Sequence, residues 1–237
     1  MSDRDWAGEL ERYLRDRFAE LCGTIGQPVP FSGLRINPPL RIEESKYFLL
    51  GLETGLFQLD DEGCVQSELL PAGSKENTRR MCRLFRHDPP LPRLLREGVC
   101  QLSTASLLIL KRGWLKNHIL IRSRTEDDCS PEDEADILVK RTTGELLICV
   151  EVKRSVAELQ KLITDLWTCC NRGAHAQTDC GYPQNHPKYE FCARYKPIYF
   201  WGVAPDADAC LRMKYEGDSI EMEQLPSLPP RSMIELD

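Results

Sequence analysis

Several features that would place this chain in a specialised class of protein are missing from its sequence. No apolar run approaches the 18 or more residues of a transmembrane helix, and the polar, acidic first residues lack the apolar core of a signal peptide. Glycine and proline number 15 and 16 among 237 residues, without a collagen-like period, and 41% of the residues are hydrophobic. The sequence therefore predicts an intracellular protein, cytoplasmic or nuclear, without a membrane segment and with one large domain or two small ones.

The sequence also lacks the motifs of several common enzyme classes. It contains no Gly-x-Ser-x-Gly, no Walker loop and no Gly-x-Gly-x-x-Gly, and residues 51–55, GLETG, lack the lysine of a phosphate-binding loop. None of its four histidines stands in the context of a known nucleophile motif. A cysteine hydrolase that uses Cys169 or Cys170 with His175 is an alternative that the sequence leaves open.

Eleven cysteines, an odd number spread along the chain, indicate reduced thiols rather than a disulfide framework. The region 169–192 concentrates cysteine and histidine: Cys169, Cys170, His175, Cys180, His186 and Cys192. Four of these side chains could bind a structural zinc ion, since thiolate and imidazole are its usual ligands. Their spacing follows no standard zinc motif, so buried or loop residues without a metal are the alternative interpretation.

The hydrophobic pattern predicts an N-terminal α+β region followed by an α/β region. The first predicted elements are a helix over 5–22, a hairpin of strands 46–50 and 56–59, and helices over 77–87 and 91–110. From residue 117 they are strands 118–122, 136–140 and 145–153, a helix over 155–170, a loop over 171–196, and strands 198–203, 210–215 and 219–222. We expect three parts: 1–74, a helix and hairpin region; 75–225, the main domain; and 226–237, a surface tail.

The segment that carries chemistry combines two acids and a lysine with apolar strands. Side chains alternate along a strand, so four residues are expected on one face of the second strand: Leu147, Cys149, Glu151 and Lys153. If a tight turn joins the two strands, Asp136 at the start of the first lies beside the end of the second. Asp136 and Glu151 are then neighbours, and two carboxylates make an oxygen-rich site for a hard divalent cation.

This arrangement, Asp136, fourteen intervening residues and Glu151-Val152-Lys153, resembles the motif of the PD-(D/E)XK phosphodiesterase superfamily, which includes restriction endonucleases and Holliday-junction resolvases. The resemblance includes the apolar strands around both acids and the helix that follows, and it extends over residues 117–215. Ala135 stands where the motif has proline. The resemblance implies a restriction-endonuclease-like core, in which a central mixed sheet is flanked by helices.

Applied to this chain, the resemblance implies that Asp136 and Glu151 bind Mg²⁺ or Mn²⁺. Lys153 would then orient the attacking water and stabilise the charge on the phosphate. Members of the superfamily often carry a further acid or polar residue at the site. The candidates for it in this chain are Glu97, Glu68 and Gln160. The alternatives are an ordinary strand edge with a surface ion pair, or a member of the superfamily that binds without catalysis.

The net charge of −6 conceals a basic segment. Residues 75–124 contain 12 lysines and arginines but only 3 acids, and therefore carry a net charge of +9. Four arginines would lie together on the predicted helix over 77–87: Arg79, Arg80, Arg83 and Arg86. Such a row could bind the phosphates of a nucleic acid, and the alternative is a solvated helix face balanced by nearby acids.

Together these features predict a Mg²⁺- or Mn²⁺-dependent nuclease, an endonuclease that acts on DNA in preference to RNA. The resemblance implies a context of restriction, defence against phage or mobile elements, and it is compatible with a homo-oligomer. Two alternatives belong to other classes. One is a non-catalytic module that keeps the fold and binds nucleic acid or protein, and the other is an interaction protein stabilised by zinc in the region 169–192.

Overall fold

The computed structural model describes residues 4–70, 80–86, 93–121, 135–217 and 219–234. Within these ranges it contains six α-helices: α1 (Trp6–Thr24), α2 (Ile42–Glu53), α3 (Arg96–Leu110), α4 (Val156–Arg172), α5 (His186–Tyr195) and α6 (Arg231–Ile234). The same ranges contain eleven strands: β1 (Gln58–Leu59), β2 (Cys64–Gln66), β3 (Arg80–Arg83), β4 (Phe85–Arg86), β5 (Arg93–Leu94), β6 (Ile119–Ile121), β7 (Ile137–Lys140), β8 (Leu146–Val152), β9 (Tyr199–Ala204), β10 (Ala207–Glu216) and β11 (Ser219–Leu225). No helix in the described residues is long and apolar enough to span a membrane.

The centre of the fold is a six-stranded sheet with the strand order β11-β10-β9-β8-β7-β6. β8 and β9 run parallel, and the other neighbouring pairs are antiparallel. A parallel pair needs a long crossover connection, which here contains α4 and α5. The sheet is therefore mixed and flanked by helices, and the predicted α/β class is confirmed.

Both faces of the sheet are covered, which explains why every residue of β8 and β9 is buried. On one face, Leu166 of α4 packs in a cluster that contains Phe200 of β9. On the other face, Val150 of β8 belongs to a larger core that includes Leu102 of α3 and Leu14 of α1. The N-terminal helices and the sheet thus share one hydrophobic core.

Residues at both ends of α4 mark in the sequence where this helix begins and ends. At its N-terminus the Ser155 hydroxyl accepts a hydrogen bond of 3.3 Å from the Glu158 amide. At its other end Gly173 has a φ of +76°, a conformation that other residues rarely adopt. The predicted helices over 5–22 and 155–170 are confirmed, as are the predicted strands of the six-stranded sheet.

α2 occupies the place where the first strand of the predicted hairpin was expected. The prediction of a strand over 46–50 is wrong, although the consecutive apolar residues Tyr47, Phe48 and Leu49 favour a strand locally. In the structure all three are buried, because α2 contacts both α1 and α3 and so buries more than one side. Tertiary packing therefore overrides the local preference, and only the two residues of β1 remain of the hairpin.

The predicted helix over 77–87 is also wrong. The described residues of that stretch form β3 and β4, which pair with β2 and β5. Leu84 and Phe85 at the junction of these strands are both completely buried. The following helix, predicted over 91–110, begins only at Arg96, because β5 precedes it.

The four arginines assigned to that helix therefore do not form a row on one helix face. Arg80 and Arg83 belong to β3, and Arg86 belongs to β4. Arg79 and the side chains of the other three lie outside the described residues. The helical geometry of the phosphate-binding row is corrected, and contact of these residues with nucleic acid stays a prediction.

The stretch 171–196, predicted as a loop, contains α5. Pro187 lies in its first turn, where a missing amide proton breaks no helical hydrogen bond. The ten residues of α5 have no regular apolar stripe, so periodicity predicts no helix here. Tyr189 and Phe191 are nevertheless buried in the cluster beside α4, which shows that packing stabilises this helix.

Two side chains of the C-terminal segment pack into the core, whereas most of residues 226–234 are exposed, as the sequence predicts for a surface tail. Leu228 and Ile234 are 1% and 0% exposed and belong to the same core as Leu14 and Val150. Arg112 Nη1 donates a hydrogen bond of 2.8 Å to the Leu228 carbonyl and fastens the segment. The segment thus runs along the surface and is anchored there by Leu228 and Ile234, whose burial the prolines around them do not indicate.

Candidate functional site

The strand register brings Asp136 and Glu151 to the same point of the sheet. Ile137, the first residue of β7, pairs with Val150 of β8, so Asp136 lies across from Glu151. The Asp136 amide donates to the Val150 carbonyl at 3.1 Å, and the Val152 amide donates to Asp136 Oδ2 at 2.7 Å. Backbone groups therefore hold the Asp136 carboxylate beside Glu151.

Glu151 is fully buried, and each of its carboxylate oxygens faces a lysine. Lys153 Nζ lies 3.1 Å from Oε2, and Lys188 Nζ, from α5, lies 2.7 Å from Oε1. The side chain of Lys153 is 16% exposed, whereas that of Lys188 is only 5% exposed. A buried carboxylate is stable only when it is paired, so the two lysines account for the burial of Glu151.

Sequence reasoning missed Lys188. This residue lies in the stretch that the sequence predicts to be a loop. No local pattern assigns it to Asp136 and Glu151, which together form the acidic pair. Only α5, which depends on packing, carries Lys188 to Glu151. The burial of Lys188 is what marks it as part of the site, and the sequence of a polar stretch does not predict that one of its lysines is buried.

The pKa of Asp136 is raised from its usual 3.8 to about 6. Burial is the largest cause, and the negative charge of Glu151 acts in the same direction. The positive charges of Lys188 and Lys153 and the hydrogen bond from Val152 oppose the shift. The two carboxylates, of which Glu151 is fully buried and Asp136 half-buried, thus repel each other at a point where a divalent cation would favour the ionised form of both. Carboxylate oxygens are the donors that Mg²⁺ and Mn²⁺ prefer.

The N-terminal half of α3 lies next to this pair. Gln101 Nε2 donates a hydrogen bond of 2.7 Å to the Asp136 carbonyl. Glu97, one helical turn earlier on α3, is exposed. The hydrogen bond to Glu158 is the main reason why the pKa of Arg154, just after β8, is raised, and the charge of Glu97 adds a smaller effect. Glu68 is exposed in the turn that follows β2. An accessory role of either acid, Glu97 or Glu68, stays a prediction.

Leu147 lies on a different face of the sheet than expected, and Gln160 is exposed on α4. Leu147 is the extra residue of a β-bulge in β8, so its side chain joins the core on the face opposite to Cys149. The predicted alternation therefore holds only beyond the bulge, where Glu151 shares the face of Cys149. Gln160 is exposed on α4, and an accessory role for it stays a prediction.

Part of the basic segment is engaged within the protein. Arg96 donates to both carboxylate oxygens of Glu44, and each of the two side chains is 4% exposed. Lys111 pairs with Glu43 at 2.5 Å, and Arg112 donates to a backbone carbonyl of the C-terminal segment. The charge of +9 therefore overstates what this segment can offer to a nucleic acid.

A second site lies between the C-terminal end of α4 and the N-terminus of α5. We call it the cysteine–histidine cluster: Cys169, His175, Cys180 and His186. The four donor atoms all lie within 4.8 Å of one another, and the sulfur atoms of Cys169 and Cys180 are 3.3 Å apart. Zinc–ligand distances of about 2.0–2.3 Å place tetrahedral donors about 3.3–3.8 Å apart, so the cluster could hold a metal ion after a small contraction.

Local contacts prepare the donors of this cluster. His175 Nδ1 lies 2.6 Å from the Gly173 carbonyl, an arrangement that leaves Nε2 for a metal ion. Burial raises the pKa of Cys169 to about 12. Burial would also raise the pKa of Cys180, but the His175 imidazole and the Tyr182 amide outweigh it and lower the pKa to about 6. Thiolate and imidazole donors indicate zinc rather than Mg²⁺.

Four of the six predicted zinc candidates belong to this cluster, and two do not. Cys170 and Cys192 are buried among apolar side chains, 2% and 0% exposed. Burial raises the pKa of Cys170 to about 12, which disfavours a thiolate nucleophile there. Cys169 lies against Cys180 in the cluster, so the cysteine-hydrolase alternative gains no support from the structure.

The resemblance to the PD-(D/E)XK superfamily rests on Asp136, Glu151 and Lys153 and on the strands that carry them. The mixed sheet with its flanking helices agrees with an α/β fold in general. Comparison of the chain with models of protein families, with curated proteins and with solved structures found no match.

Proposed function

We propose that the chain is a metal-dependent nuclease with a restriction-endonuclease-like core formed by β7, β8, α4 and β9. The observation that carries this proposal is the meeting of Asp136, directly before β7, with Glu151 of β8, and Lys153 follows directly after the end of β8. Repulsion between the two carboxylates, which contributes to the raised pKa of Asp136, is what a divalent cation would relieve.

The residues of the site have distinct roles in this proposal. Asp136 and Glu151 would hold Mg²⁺ or Mn²⁺, which polarises a phosphate and lowers the pKa of bound water. Lys153 is the more exposed of the two lysines, so it is the one that can donate to a phosphate oxygen or to the attacking water. Its positive charge stabilises the negative charge that develops on the phosphate. Gln101 keeps the backbone of Asp136 in place.

The proposed substrate is DNA ahead of RNA, cleaved endonucleolytically. Two observations support it: the similarity of the motif to that of DNA endonucleases, and the net positive charge of residues 75–124. The internal pairing of Arg96 and Lys111 reduces this charge, so phosphate contact rests on the remaining basic residues. Restriction, defence against phage and mobile elements are the contexts that we propose.

One observation favours an alternative function. Both carboxylate oxygens of Glu151 contact ammonium groups, and these could serve in place of a divalent cation. The fold would then be a non-catalytic module that binds nucleic acid or protein. This alternative predicts neither cleavage nor binding of Mg²⁺ or Mn²⁺ at the acidic pair.

A cleavage assay tests the nuclease proposal. Plasmid DNA, single-stranded DNA and RNA are incubated with the protein in Mg²⁺, Mn²⁺ or EDTA. We expect cleavage that requires the metal and that falls by about 10²-fold or more in Glu151→Gln. Asp136→Asn is the second variant, because Glu151→Gln takes the carboxylate away from two lysines. Glu145→Gln, which removes an exposed carboxylate at the other end of β8, serves as the control. Equal background cleavage by wild type and Glu151→Gln in every metal would contradict the proposal.

We also propose that the cysteine–histidine cluster binds one structural zinc ion. The support is its donor set of two thiols and two imidazoles, together with the preparation of His175 and Cys180 by their neighbours. Elemental analysis after dialysis should find about one zinc per chain. Cys180→Ser should lose most of it, whereas Cys170→Ser, next to a ligand but outside the cluster, should keep it. Wild-type protein without zinc, when purified with zinc in all buffers, would refute the site.

A further inference from the structure

Lys188 lies on α5, outside the motif that contains Asp136, Glu151 and Lys153, yet its side chain extends to the acidic pair. Its Nζ lies 2.7 Å from Glu151 Oε1, while Lys153 occupies the side of Oε2. With Asp136 across from Glu151, the site contains two carboxylates and two ammonium groups. The charges of the four side chains therefore balance when all are ionised.

The N-terminus of α5, close to Lys188, lies against α4 at two places. His186, the first residue of α5, belongs to the cysteine–histidine cluster together with Cys169 of α4. Asn185 Nδ2 donates a hydrogen bond of 2.6 Å to Asp165 Oδ2, also on α4. Lys188 follows in the first turn, so these contacts determine where its side chain starts.

Stability alone gives a poor reason for a second buried lysine at Glu151. A buried ion pair loses so much solvation that apolar side chains of similar volume often stabilise a fold equally well. A charge role gives a better reason. Once a divalent cation joins the site, the two ammonium groups leave an excess of positive charge there, and nucleophilic attack on a phosphodiester adds negative charge to the phosphate.

We infer that Lys188 is a positioning residue of the proposed nuclease site. It holds Glu151 in one orientation and supplies positive charge behind the carboxylate pair, on the side that solvent and substrate do not reach. The cysteine–histidine cluster keeps Lys188 in place through α5. This inference rests on the nuclease function proposed above.

Three variants of the full-length, zinc-containing protein test the inference. Lys188→Met removes the ammonium group but keeps an unbranched side chain, and Lys188→Arg keeps the charge. Lys214→Met is the control, since it removes an exposed lysine that faces Glu221 across β10 and β11. Zinc content and Tm are measured for each variant. Two quantities are then compared: the affinity for Mn²⁺ by calorimetry without substrate, and the cleavage rate at saturating Mn²⁺.

The expected result is a split between binding and rate. Lys188→Met should bind Mn²⁺ at least about 3-fold more tightly, because a competing cation is gone, yet cleave at least about 10-fold more slowly. Lys188→Arg should recover most of the rate, and Lys214→Met should match wild type. Wild-type values of both quantities in Lys188→Met would overturn the inference, as would a joint loss of affinity and rate that Lys188→Arg does not rescue.

The same measurements separate this inference from the nuclease proposal. If wild type binds Mn²⁺ but cleaves none of the substrates, the nuclease proposal fails, and unchanged Mn²⁺ affinity in Lys188→Met would then reject the role of Lys188 as well. If wild type cleaves and Lys188→Met cleaves equally well, the role of Lys188 fails alone. Wild type that binds no Mn²⁺ contradicts both.

Discussion

Lys188 and Glu151 connect two parts of the fold that are distant in the sequence: the ammonium group of Lys188, on α5, lies 2.7 Å from a carboxylate oxygen of Glu151, on β8. α5 also contributes His186 to the cysteine–histidine cluster, to which α4 contributes Cys169. The two candidate metal sites are therefore linked through one helix of ten residues. A change at the cluster should be detectable at the acidic pair.

Loss of metal from the cluster should loosen α5 before the rest of the fold. In Cys180→Ser we expect a Tm lower by several degrees and early tryptic cleavage after Lys188, whose side chain is 5% exposed in the folded protein. Mass spectrometry of short digests identifies the first bond cut. Cys170→Ser should give the wild-type pattern, and identical first cuts in both variants would contradict the link between the cluster and α5.

The raised pKa of Asp136 predicts a stability that falls as pH rises in protein free of Mg²⁺ and Mn²⁺. The folded pKa of about 6 exceeds the usual 3.8, so the folded state binds the proton more tightly. The stabilisation by this proton is complete below about pH 3.8 and is lost as pH rises through about 6. Asp136→Asn cannot ionise. Its free energy of unfolding, relative to that of wild type, should therefore rise by on the order of 1–3 kcal/mol between pH 4 and pH 7.

Urea unfolding at several pH values measures this difference. Asp16→Asn, at an exposed position on α1, is the control and should follow wild type. A constant difference between Asp136→Asn and wild type from pH 4 to pH 7 would show that Asp136 does not carry the shift. Addition of Mn²⁺ should remove the disadvantage of the wild type, because only its carboxylate can bind the cation.

Arg96 and Glu44 join α3 to α2 through a buried bidentate pair, and Arg96 Nε also donates 2.9 Å to the Pro38 carbonyl. Arg96→Met should lower the free energy of unfolding by about 3–5 kcal/mol, since it leaves the Glu44 carboxylate buried without its cation. Arg141→Met, which breaks a more exposed pair with Glu145, should cost about 1 kcal/mol or less. Denaturant titrations of both variants give the comparison, and equal losses would contradict it.

α2 and α3 approach each other so closely at Gly51 that no side chain fits there. A Cβ at this position would lie 2.3 Å from Ser106 Oγ and 2.4 Å from Phe57 Cε1. Gly51→Ala should therefore destabilise the fold by about 1–3 kcal/mol. Gly23 of α1 has nothing within 4 Å of the same atom, so Gly23→Ala should stabilise by up to about 1 kcal/mol through helix propensity. Thermal unfolding of the two variants should shift in opposite directions.

The elements from β7 to α4 can be predicted from sequence because their signals are local. Apolar runs bounded by turn residues mark the strands, and Ser155 and Gly173 mark the ends of the helix. The short turn between β7 and β8 determines antiparallel pairing, so Asp136 and Glu151 are expected at the same end of the hairpin. Their direct opposition depends on the bulge at Leu147, since an unbroken register from the turn would pair Asp136 with Val150. The bulge at Leu147 does not follow, because an extra residue in one strand leaves no mark in the alternation around it.

Other elements depend on contacts that no short window contains. Tyr47, Phe48 and Leu49 read locally as a strand, yet they are buried on a helix because α1 and α3 both pack against it. α5 has no apolar stripe of its own and forms where Tyr189 and Phe191 find the core beside α4. In both cases the free energy of burial outweighs the local preference, which spans about 1 kcal/mol or less per residue.

By itself, the sequence determined the α/β order of the main sheet and the two acids on neighbouring strands, because hydrophobic periodicity and turn length act over a few residues. Only the tertiary structure decided that Lys188 faces Glu151 and that four of six cysteine and histidine candidates converge. These contacts depend on how α5 packs against α4, and that packing is a property of the whole core rather than of any local segment.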